Sequence, residues 1–319
     1  MTDGRPLLAI YGPTGTGKTA LAVRLADRLP LHLVSCDAVQ VYRDLRAAAA
    51  KPEGDEWRHP WALVDVAEPD RDMDMGRWVR AAEAECRWAW RAGRIPAVVG
   101  GTGMYLRGLV KGLAPAPPRD EALRARLRRL AARHSVPWLH RVLGRLDPAS
   151  AARLGRRDEK RIVRALEVRL ATGRSLAGLQ GEAWRGPDRF DVLRVMLDMP
   201  RAELYARLDR RVERFFDRGL VTEVRWLLGP RGVPSAANSL KGIGYREVVD
   251  VLRGREPDDG LALLERVQRN SRRYAKRQWT WFRREGSDLV LDSRRPLEEC
   301  AEEVVEAVRR RWGSILVAR

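Results

Sequence analysis

The sequence predicts an α/β fold, in which a parallel sheet carries helices on both faces and an all-helical segment is inserted into the chain. Short apolar runs alternate with segments of helical periodicity, which is the pattern of strands joined by crossover helices. After a proline-rich linker at 114–118, by contrast, residues 119–174 contain no strand signal. We therefore predict a first core part at 1–115, a helical insertion at 116–191 and a second core part at 192–319.

The individual elements follow from local patterns. Residues 7–11 form an apolar run typical of a buried parallel strand. Residues 18–29 carry apolar side chains at helical spacing. Further strands are predicted at 31–34, 95–99, 192–199 and 289–291, and further helices at 75–92, after 103, from 201 to a break at Gly219, and near the C-terminus.

The composition is that of a globular protein and excludes several other classes. The length of 319 residues suggests roughly two domains. With 45% hydrophobic and 33% charged residues, the chain is neither fibrous nor wholly disordered. The three scattered cysteines give neither a disulfide framework nor a zinc site. No apolar run approaches the ~20 residues of a membrane-spanning helix, and no secretory segment is recognised. We therefore expect a cytoplasmic protein with no membrane interaction.

The charge balance indicates a polyanionic partner. Lysine and arginine number 61 against 43 acidic residues, and the net charge is +18. A field of that sign attracts polyanions, although solvated charges in an arginine-rich chain would give the same total. The distribution favours the first interpretation, because residues 119–174 hold 16 basic residues against 6 acidic ones.

A second basic segment, at 269–284, supports the same partner. It contains seven lysines and arginines, four aromatic residues and no acid. Basic side chains can neutralise phosphates while aromatic rings stack on unpaired bases, so Lys276 and Arg277 are candidate contacts to nucleic acid. The alternative is that the aromatic rings face the core of a helix and the basic side chains are merely solvated.

The most specific motif is a phosphate loop, G-x-x-x-x-G-K-T, between a predicted strand and a predicted helix. Glycines let backbone amides turn towards an anion, and the helix N-terminus adds its dipole. Lys18 supplies a positive charge, and the hydroxyl of Thr19 is placed to bind Mg²⁺. The candidate phosphate-binding residues are Gly12, Pro13, Thr14, Gly15, Thr16, Gly17, Lys18 and Thr19.

Two other segments follow predicted strands at the same edge of the sheet. Residues 37–43 read DAVQVYR, and the acid Asp37 can accept a proton or, alternatively, cap a turn. Residues 100–103 form a second glycine-rich turn, in which Thr102 is the polar candidate, although such turns often only pack a helix on a strand. The third predicted strand ends without the carboxylate that phosphate-loop ATPases use for Mg²⁺, and Asp37 is the only acid that ends an early strand. A weakened Mg²⁺ site argues against a motor ATPase and is compatible with an enzyme that stabilises a departing pyrophosphate.

Four arginines lie at helical spacing after residue 201. They share one face of the predicted helix and repel one another by a few tenths of a kcal/mol per pair. Such a row is either solvated or awaits an anion. The four residues are Arg207, Arg211, Arg214 and Arg218.

Taken in order, six motifs resemble those of the tRNA dimethylallyltransferases, also called tRNA isopentenyltransferases. The resemblance extends from about residue 7 to residue 284. The motifs are the phosphate loop, DAVQVYR at 37–43, PAVVGGTGMYL at 96–106, DEKRIVRALEV at 158–168, IGYRE at 243–247 and YAKRQWTWFR at 274–283.

The resemblance implies a fold and a reaction. The core would be nucleotide-kinase-like, with a helical insertion. The dimethylallyl group of dimethylallyl diphosphate would pass to the exocyclic amine of the adenosine on the 3′ side of the anticodon, and pyrophosphate would leave. The phosphate loop would hold diphosphate rather than ATP, and the base would be flipped into a channel. The implied partners are the anticodon stem-loop of tRNA, dimethylallyl diphosphate and Mg²⁺, and a monomer suffices.

The resemblance also assigns roles to residues. Asp37 resembles the general base, since an adenine amine loses its proton easily only while the new bond forms. Thr102 resembles a polar residue near the reacting groups, and Arg211 acts with Lys18 and Thr19 on the diphosphate. The segments that resemble tRNA contacts are Asp37, Ala38, Val39 and Gln40, and Lys160, Arg161, Ile162, Val163 and Arg164.

Two rival functions are compatible with parts of the pattern. A kinase of a nucleoside or small metabolite would use the phosphate loop and Asp37, but it does not explain the basic aromatic segment. An ATP-dependent RNA-binding protein would explain the charge, but it lacks the second Mg²⁺-binding aspartate. Binding of ATP without binding of dimethylallyl diphosphate would favour either rival.

Overall fold

The computed structural model describes residues 4–257 and 259–317 and confirms the predicted α/β class. Six parallel strands form one sheet in the order β3-β2-β4-β1-β5-β6. The strands are β1 (Pro6–Tyr11), β2 (Leu31–Cys36), β3 (Trp61–Ala62), β4 (Ile95–Gly100), β5 (Asp191–Asp198) and β6 (Leu289–Asp292).

The large unit of the chain, residues 2–110 and 190–319, contains the sheet. Its 3₁₀ turns are Gly54–Trp57 and Ser239–Lys241. Its helices are α1 (Lys18–Ala26), α2 (Met75–Arg91), α3 (Gly103–Lys111), α9 (Arg201–Asp217), α10 (Leu220–Leu228), α11 (Tyr245–Leu252), α12 (Gly260–Glu285) and α13 (Leu297–Val317).

The strands are mostly apolar because helices cover both faces of the sheet. In β1 every residue is buried. Leu21 of α1 and Val304 of α13 belong to a hydrophobic cluster with the strand residues Leu8 and Ile10. Trp78 of α2 is fully buried, and its indole donates to the carbonyl oxygen of Ser35 in β2. Burial on both faces fixes the strands, and all of their carboxyl ends meet at one edge.

The sequence pattern predicts the break between α9 and α10 but misses one strand. The break at Gly219 is confirmed: α9 ends at Asp217, Gly219 adopts φ +79°, and α10 begins at Leu220. The strand β3 is absent from the prediction, because a two-residue edge strand is too short to show any periodicity.

The helical unit, Lys111–Arg189, is a separate compact body. Its bounds lie within a few residues of the predicted insertion at 116–191. It has its own core, in which Leu143, Ile162 and Leu166 are inaccessible to solvent. Its helices are α4 (Glu121–His134), α5 (Val136–Leu146), α6 (Pro148–Ala151), α7 (Glu159–Thr172) and α8 (Leu176–Arg185). Each begins after an aspartate or serine whose side chain accepts a backbone N–H of the first turn.

Within residues 4–257 and 259–317, no helix combines the length and the apolar character needed to cross a membrane.

Candidate active site

The phosphate loop joins the carboxyl end of β1 to the start of α1. A Cβ atom at Gly12 would lie 2.3 Å from the carbonyl oxygen of Leu197, so the strand beside the loop leaves room only for glycine. Gly17 precedes α1 in the left-handed conformation, with φ +84°. The Thr16 hydroxyl donates to the carbonyl oxygen of Pro13 at 2.9 Å and holds the turn. A loop of this form, at a helix N-terminus, is an anion-binding site.

Two half-buried cations accompany the loop. The Lys18 ammonium donates to the carbonyl oxygen of Pro13 at 2.7 Å, and Arg211 donates to the hydroxyl of Thr14 at 3.0 Å. Burial, reinforced by the charge of Arg211 and opposed by that of Asp37, lowers the pKa of Lys18 to about 7. Burial is also the main reason why the pKa of Arg211 is lowered. Because both charged forms are destabilised here, an anionic ligand is strongly favoured.

Asp37 follows β2 and has two roles, one for each oxygen. Its Oδ1 accepts the backbone N–H of Val39 (2.8 Å) and of Gln40 (3.2 Å), so it caps the turn, as the alternative interpretation proposes. No residue in the described part of the chain forms a hydrogen bond with its Oδ2. The turn therefore fixes the carboxylate in place and keeps one oxygen available to a ligand.

Two cavities adjoin at this carboxylate. The first, of about 380 Å³, surrounds the phosphate loop. The second, of about 450 Å³, is lined by parts of α9, α11 and α12. Because they share wall residues, the two cavities are direct neighbours, with Asp37 at their junction. The residues that line both are Thr14, Asp37, Ala49, Arg211, Phe215 and Tyr274.

Tyr274 is a site residue that the sequence analysis did not single out. Burial raises the pKa of its phenol, and the negative charge of Asp37 raises it further. The phenol therefore stays protonated at neutral pH, and it can donate a hydrogen bond as well as accept one. With Phe215 it gives the junction an aromatic wall.

Gln278 of α12 ties the phosphate loop to the second glycine-rich turn. Its Oε1 accepts the backbone N–H of Thr14, and its Nε2 donates to the carbonyl oxygen of Gly101, both at 2.9 Å. A Cβ atom at Gly101 would lie 2.2 Å from that Nε2. Gln278 is buried and interrupts an apolar stripe of α12 with a polar side chain, which is the sequence signal that could have revealed it.

Thr102 lies next to the aromatic wall of the junction. Gly100 and Gly101 line the first cavity, whereas Thr102 lies just behind the cavity surface, beside the phenol of Tyr274. Thr102 directly precedes α3, and its backbone N–H donates to the carbonyl oxygen of Cys36. The turn thus packs helix against strand and also places Thr102 beside a residue that borders both cavities, so its role near the reacting groups stays a prediction.

The second cavity has a basic rim. Arg277 lines it, in accord with the expected contact to nucleic acid. Lys276 does not: it lies beside a shallow pocket with Met199 and Trp279, because successive residues of a helix point about 100° apart. Sequence reasoning missed three further rim residues, although two of them fall within or beside the IGYRE motif. The missed residues are Lys241, Arg246 and Arg273.

The other residues predicted to contact tRNA, at 160–164, differ in how exposed they are. In α7 of the helical unit, Lys160 and Arg161 are exposed, but Ile162 and Val163 are at most 1% exposed in its core. Their side chains cannot reach RNA, so the segment must be corrected to its polar positions. Arg164 is partly buried between Glu167 and the carbonyl oxygen of Pro117.

The three residues after Asp37 line different cavities. Ala38 and Val39 line the second cavity, and Gln40 lines the first. The amide of Gln40 donates to the carbonyl oxygen of Ala50 at 2.6 Å and accepts the hydroxyl of Ser35 at 2.7 Å. Gln40 therefore braces the wall between the two cavities with both of its polar atoms.

The donor set fits Mg²⁺ only in combination with a phosphate ligand. The described residues hold no group of three or more histidine, cysteine or acidic side chains that could bind a metal. Thr19 lines the first cavity. Mg²⁺ is commonly held by one or two protein oxygens together with substrate phosphates and water, and the hydroxyl of Thr19 can supply such an oxygen.

Comparison with known proteins agrees with this geometry. The family described as IPP transferase matches residues 40–285, and the isopentenyl transferase family matches residues 6–60. The chain is 40% identical over 312 residues to the tRNA dimethylallyltransferase of Symbiobacterium thermophilum, covering 96% of each protein. It is 43% identical over 302 residues to that of Anaeromyxobacter dehalogenans strain 2CP-1, covering 94% of this chain and 97% of the relative.

Solved structures show the same fold. The full-length tRNA isopentenylpyrophosphate transferase of Bacillus halodurans superposes with a TM-score of 0.72 at 30% identity, covering 98% of both chains. The enzyme of Staphylococcus epidermidis gives 0.69 at 28% identity, covering 96% of this chain and 99% of that one. The chain described here therefore belongs to the tRNA dimethylallyltransferase family.

Proposed function

We propose that this protein transfers the dimethylallyl group of dimethylallyl diphosphate to the exocyclic amine of the adenosine 3′-adjacent to the anticodon of tRNA, releasing pyrophosphate. The observation that carries the proposal is the position of Asp37. Its carboxylate borders both the phosphate-loop cavity and the basic-rimmed cavity. A group that accepts a proton thus lies where a diphosphate ester and an extruded base would meet.

The diphosphate occupies the first cavity. Lys18 and Arg211 are half-buried at the cavity wall, so water screens their charges on the leaving group less than at an open surface. Mg²⁺, bound through the hydroxyl of Thr19, would neutralise further charge on the departing oxygens. Binding of the diphosphate also returns the ammonium of Lys18 to its charged state, which matches the growing negative charge.

The transfer is a single displacement, in which one bond forms at the allylic carbon as another breaks. The adenine nitrogen forms a bond to the terminal allylic carbon while the carbon–oxygen bond to the diphosphate breaks. The proton of the amine passes to the free Oδ2 of Asp37, and pyrophosphate leaves with the bonding electrons. The Phe215 and Tyr274 rings supply an apolar wall for the allyl group, which keeps water away from the reacting carbon.

The base enters through the second cavity. Its rim carries Arg273, Arg277, Lys241 and Arg246, which can contact RNA phosphates on either side of the flipped nucleotide. Family membership does not favour the alternative of a nucleoside or metabolite kinase.

Nucleoside mass spectrometry tests the proposal. The protein is incubated with Mg²⁺, an unmodified anticodon stem-loop and either dimethylallyl diphosphate or ATP. A dimethylallylated adenosine in the first reaction, with neither alkylated nor phosphorylated product in the second, is the expected result. Phosphorylation of a nucleoside with ATP, without alkylation in the first reaction, would contradict the proposal and restore the kinase.

A further inference from the structure

Three arginines of α9 and Arg218, which directly follows the helix, line the first cavity. Arg207, Arg211, Arg214 and Arg218 recur every three or four residues, so one stripe of the helix faces the phosphate loop. We call this stripe the arginine row. Arg211 binds the loop itself, whereas the other three belong to the exposed part of the same wall.

The arginine row adds positive charge to the first cavity beyond that of Arg211, which contacts the loop. Each of the three outer arginines contributes to lowering the pKa of Arg211, after the larger effect of burial, so their charges act on the same point. Arg218 forms an ion pair with Glu53 at 2.5 Å. Among the described residues, nothing forms a hydrogen bond or an ion pair with the guanidinium group of Arg207 or of Arg214. Two unpaired guanidinium groups thus remain beside the phosphate loop, despite their mutual repulsion.

The position of these two arginines identifies the kind of anion. Arg211 lines both cavities, but Arg207 and Arg214 line only the first. An RNA backbone would reach the basic rim of the second cavity. A small phosphate compound, in contrast, would pass these arginines on its way to or from the loop. Guanidinium groups bind phosphate oxygens in pairs of parallel hydrogen bonds.

We propose that Arg207 and Arg214 form an outer anion subsite that takes inorganic pyrophosphate as it leaves the phosphate loop. The inference rests on the proposed function, because that reaction supplies pyrophosphate. Glu53 and Glu56 line the same cavity and repel an anion that approaches them. The outer subsite therefore binds more weakly than the loop, and the product is passed outward.

Binding of inorganic pyrophosphate to the full chain, measured by calorimetry with Mg²⁺ at fixed ionic strength, tests this subsite. In Lys18→Met the loop is impaired, and a weak residual binding should remain. Adding Arg214→Gln or Arg207→Gln should weaken that residual binding about tenfold, since one charge-assisted hydrogen bond is lost. Arg210→Gln is the matched control, because Arg210 is an exposed arginine of α9 that lines neither cavity.

The outcomes distinguish failure of the outer subsite from failure of the proposed function. Equal effects of Arg210→Gln and Arg214→Gln, or no effect of either, would overturn the subsite. So would a loss of anticodon stem-loop affinity in Arg214→Gln with unchanged pyrophosphate binding, because the row would then be an RNA contact. If wild-type protein binds pyrophosphate as described but does not alkylate RNA, the proposed function fails while the subsite stands.

Discussion

At the scale of single residues, the site is defined by half-buried charges that face one another. Lys18 and Arg211 are destabilised by burial, and Asp37 is the acid whose charge opposes that effect in both. The three groups balance each other only in part. An incoming diphosphate supplies the missing negative charge, which is why these side chains can remain half-buried near a cavity.

The lowered pKa of Lys18 predicts a pH dependence of diphosphate binding. The pKa is about 7 in the free protein, and a bound anion raises it, so binding above that pH requires uptake of a proton. Pyrophosphate affinity should therefore fall as the pH rises through about 7 and should gain nothing from this group below it. Titration calorimetry of wild type and Lys18→Arg isolates the effect, because the ligand's own titration is common to both. Identical pH profiles of the two proteins would show that Lys18 does not titrate here.

At the scale of elements, α12 connects the two cavities. Its buried stripe includes Ala275, Gln278 and Phe282, while Arg273 and Arg277 lie along the second cavity. Because one rigid helix carries the RNA rim and the contact to the phosphate loop, the positions of the two ligands are linked.

Removal of the Gln278 amide should loosen the phosphate loop. Gln278→Met keeps the side-chain volume but leaves the N–H of Thr14 and the carbonyl of Gly101 without their partner, at a cost of about 1–3 kcal/mol for each buried group. We expect a higher KM for dimethylallyl diphosphate with a nearly unchanged KM for RNA. Thermal unfolding serves as the control for general destabilisation, and an equal rise in both KM values would contradict a role in the loop.

The two neighbouring cations of α12 should differ in their effect on RNA binding. Arg277 lines the second cavity and Lys276 does not. Arg277→Gln should lower stem-loop affinity and reduce the slope of log K against log salt by about one. Lys276→Gln, the matched control, should change neither quantity. Fluorescence anisotropy over a range of salt concentrations measures both, and equal slopes for the two variants would mean that Arg277 is merely solvated.

At the scale of the whole molecule, the chain divides its tasks between two bodies. Both cavities lie in the large unit, which contains the sheet, whereas the helical unit has a separate core and a strongly basic sequence. We infer that the large unit performs the chemistry and that the helical unit contributes to binding of the RNA.

Damage to the core of the helical unit should therefore spare the diphosphate site. Leu143 of α5 is fully buried there, and Leu143→Ala should destabilise the unit by about 2–5 kcal/mol. Hydrogen exchange should increase within residues 111–189, tRNA affinity should fall, and pyrophosphate affinity should stay unchanged. A parallel loss of pyrophosphate binding would show that the two bodies do not fold independently.

Sequence reasoning predicts those features that short-range patterns encode. The strand before the phosphate loop, the loop itself and the break at Gly219 are each visible within a few residues. The bridge from Gln278 to Thr14 spans 264 positions, and no local pattern encodes such a pairing. Ile162 and Val163 illustrate the opposite error: a contact segment assigned as a block includes the residues that hold its helix in the core.

In the proposed reaction the Asp37 carboxylate, at the junction of the cavities, takes the proton of the amine. Single-turnover transfer to a saturating anticodon stem-loop, compared between wild type and Asp37→Asn, measures this role. Asparagine can still accept the N–H groups of Val39 and Gln40, so both ligands should bind with nearly unchanged affinity. We expect a transfer rate lowered by about 10²–10⁴-fold; a rate equal to that of wild type would show that another group removes the proton.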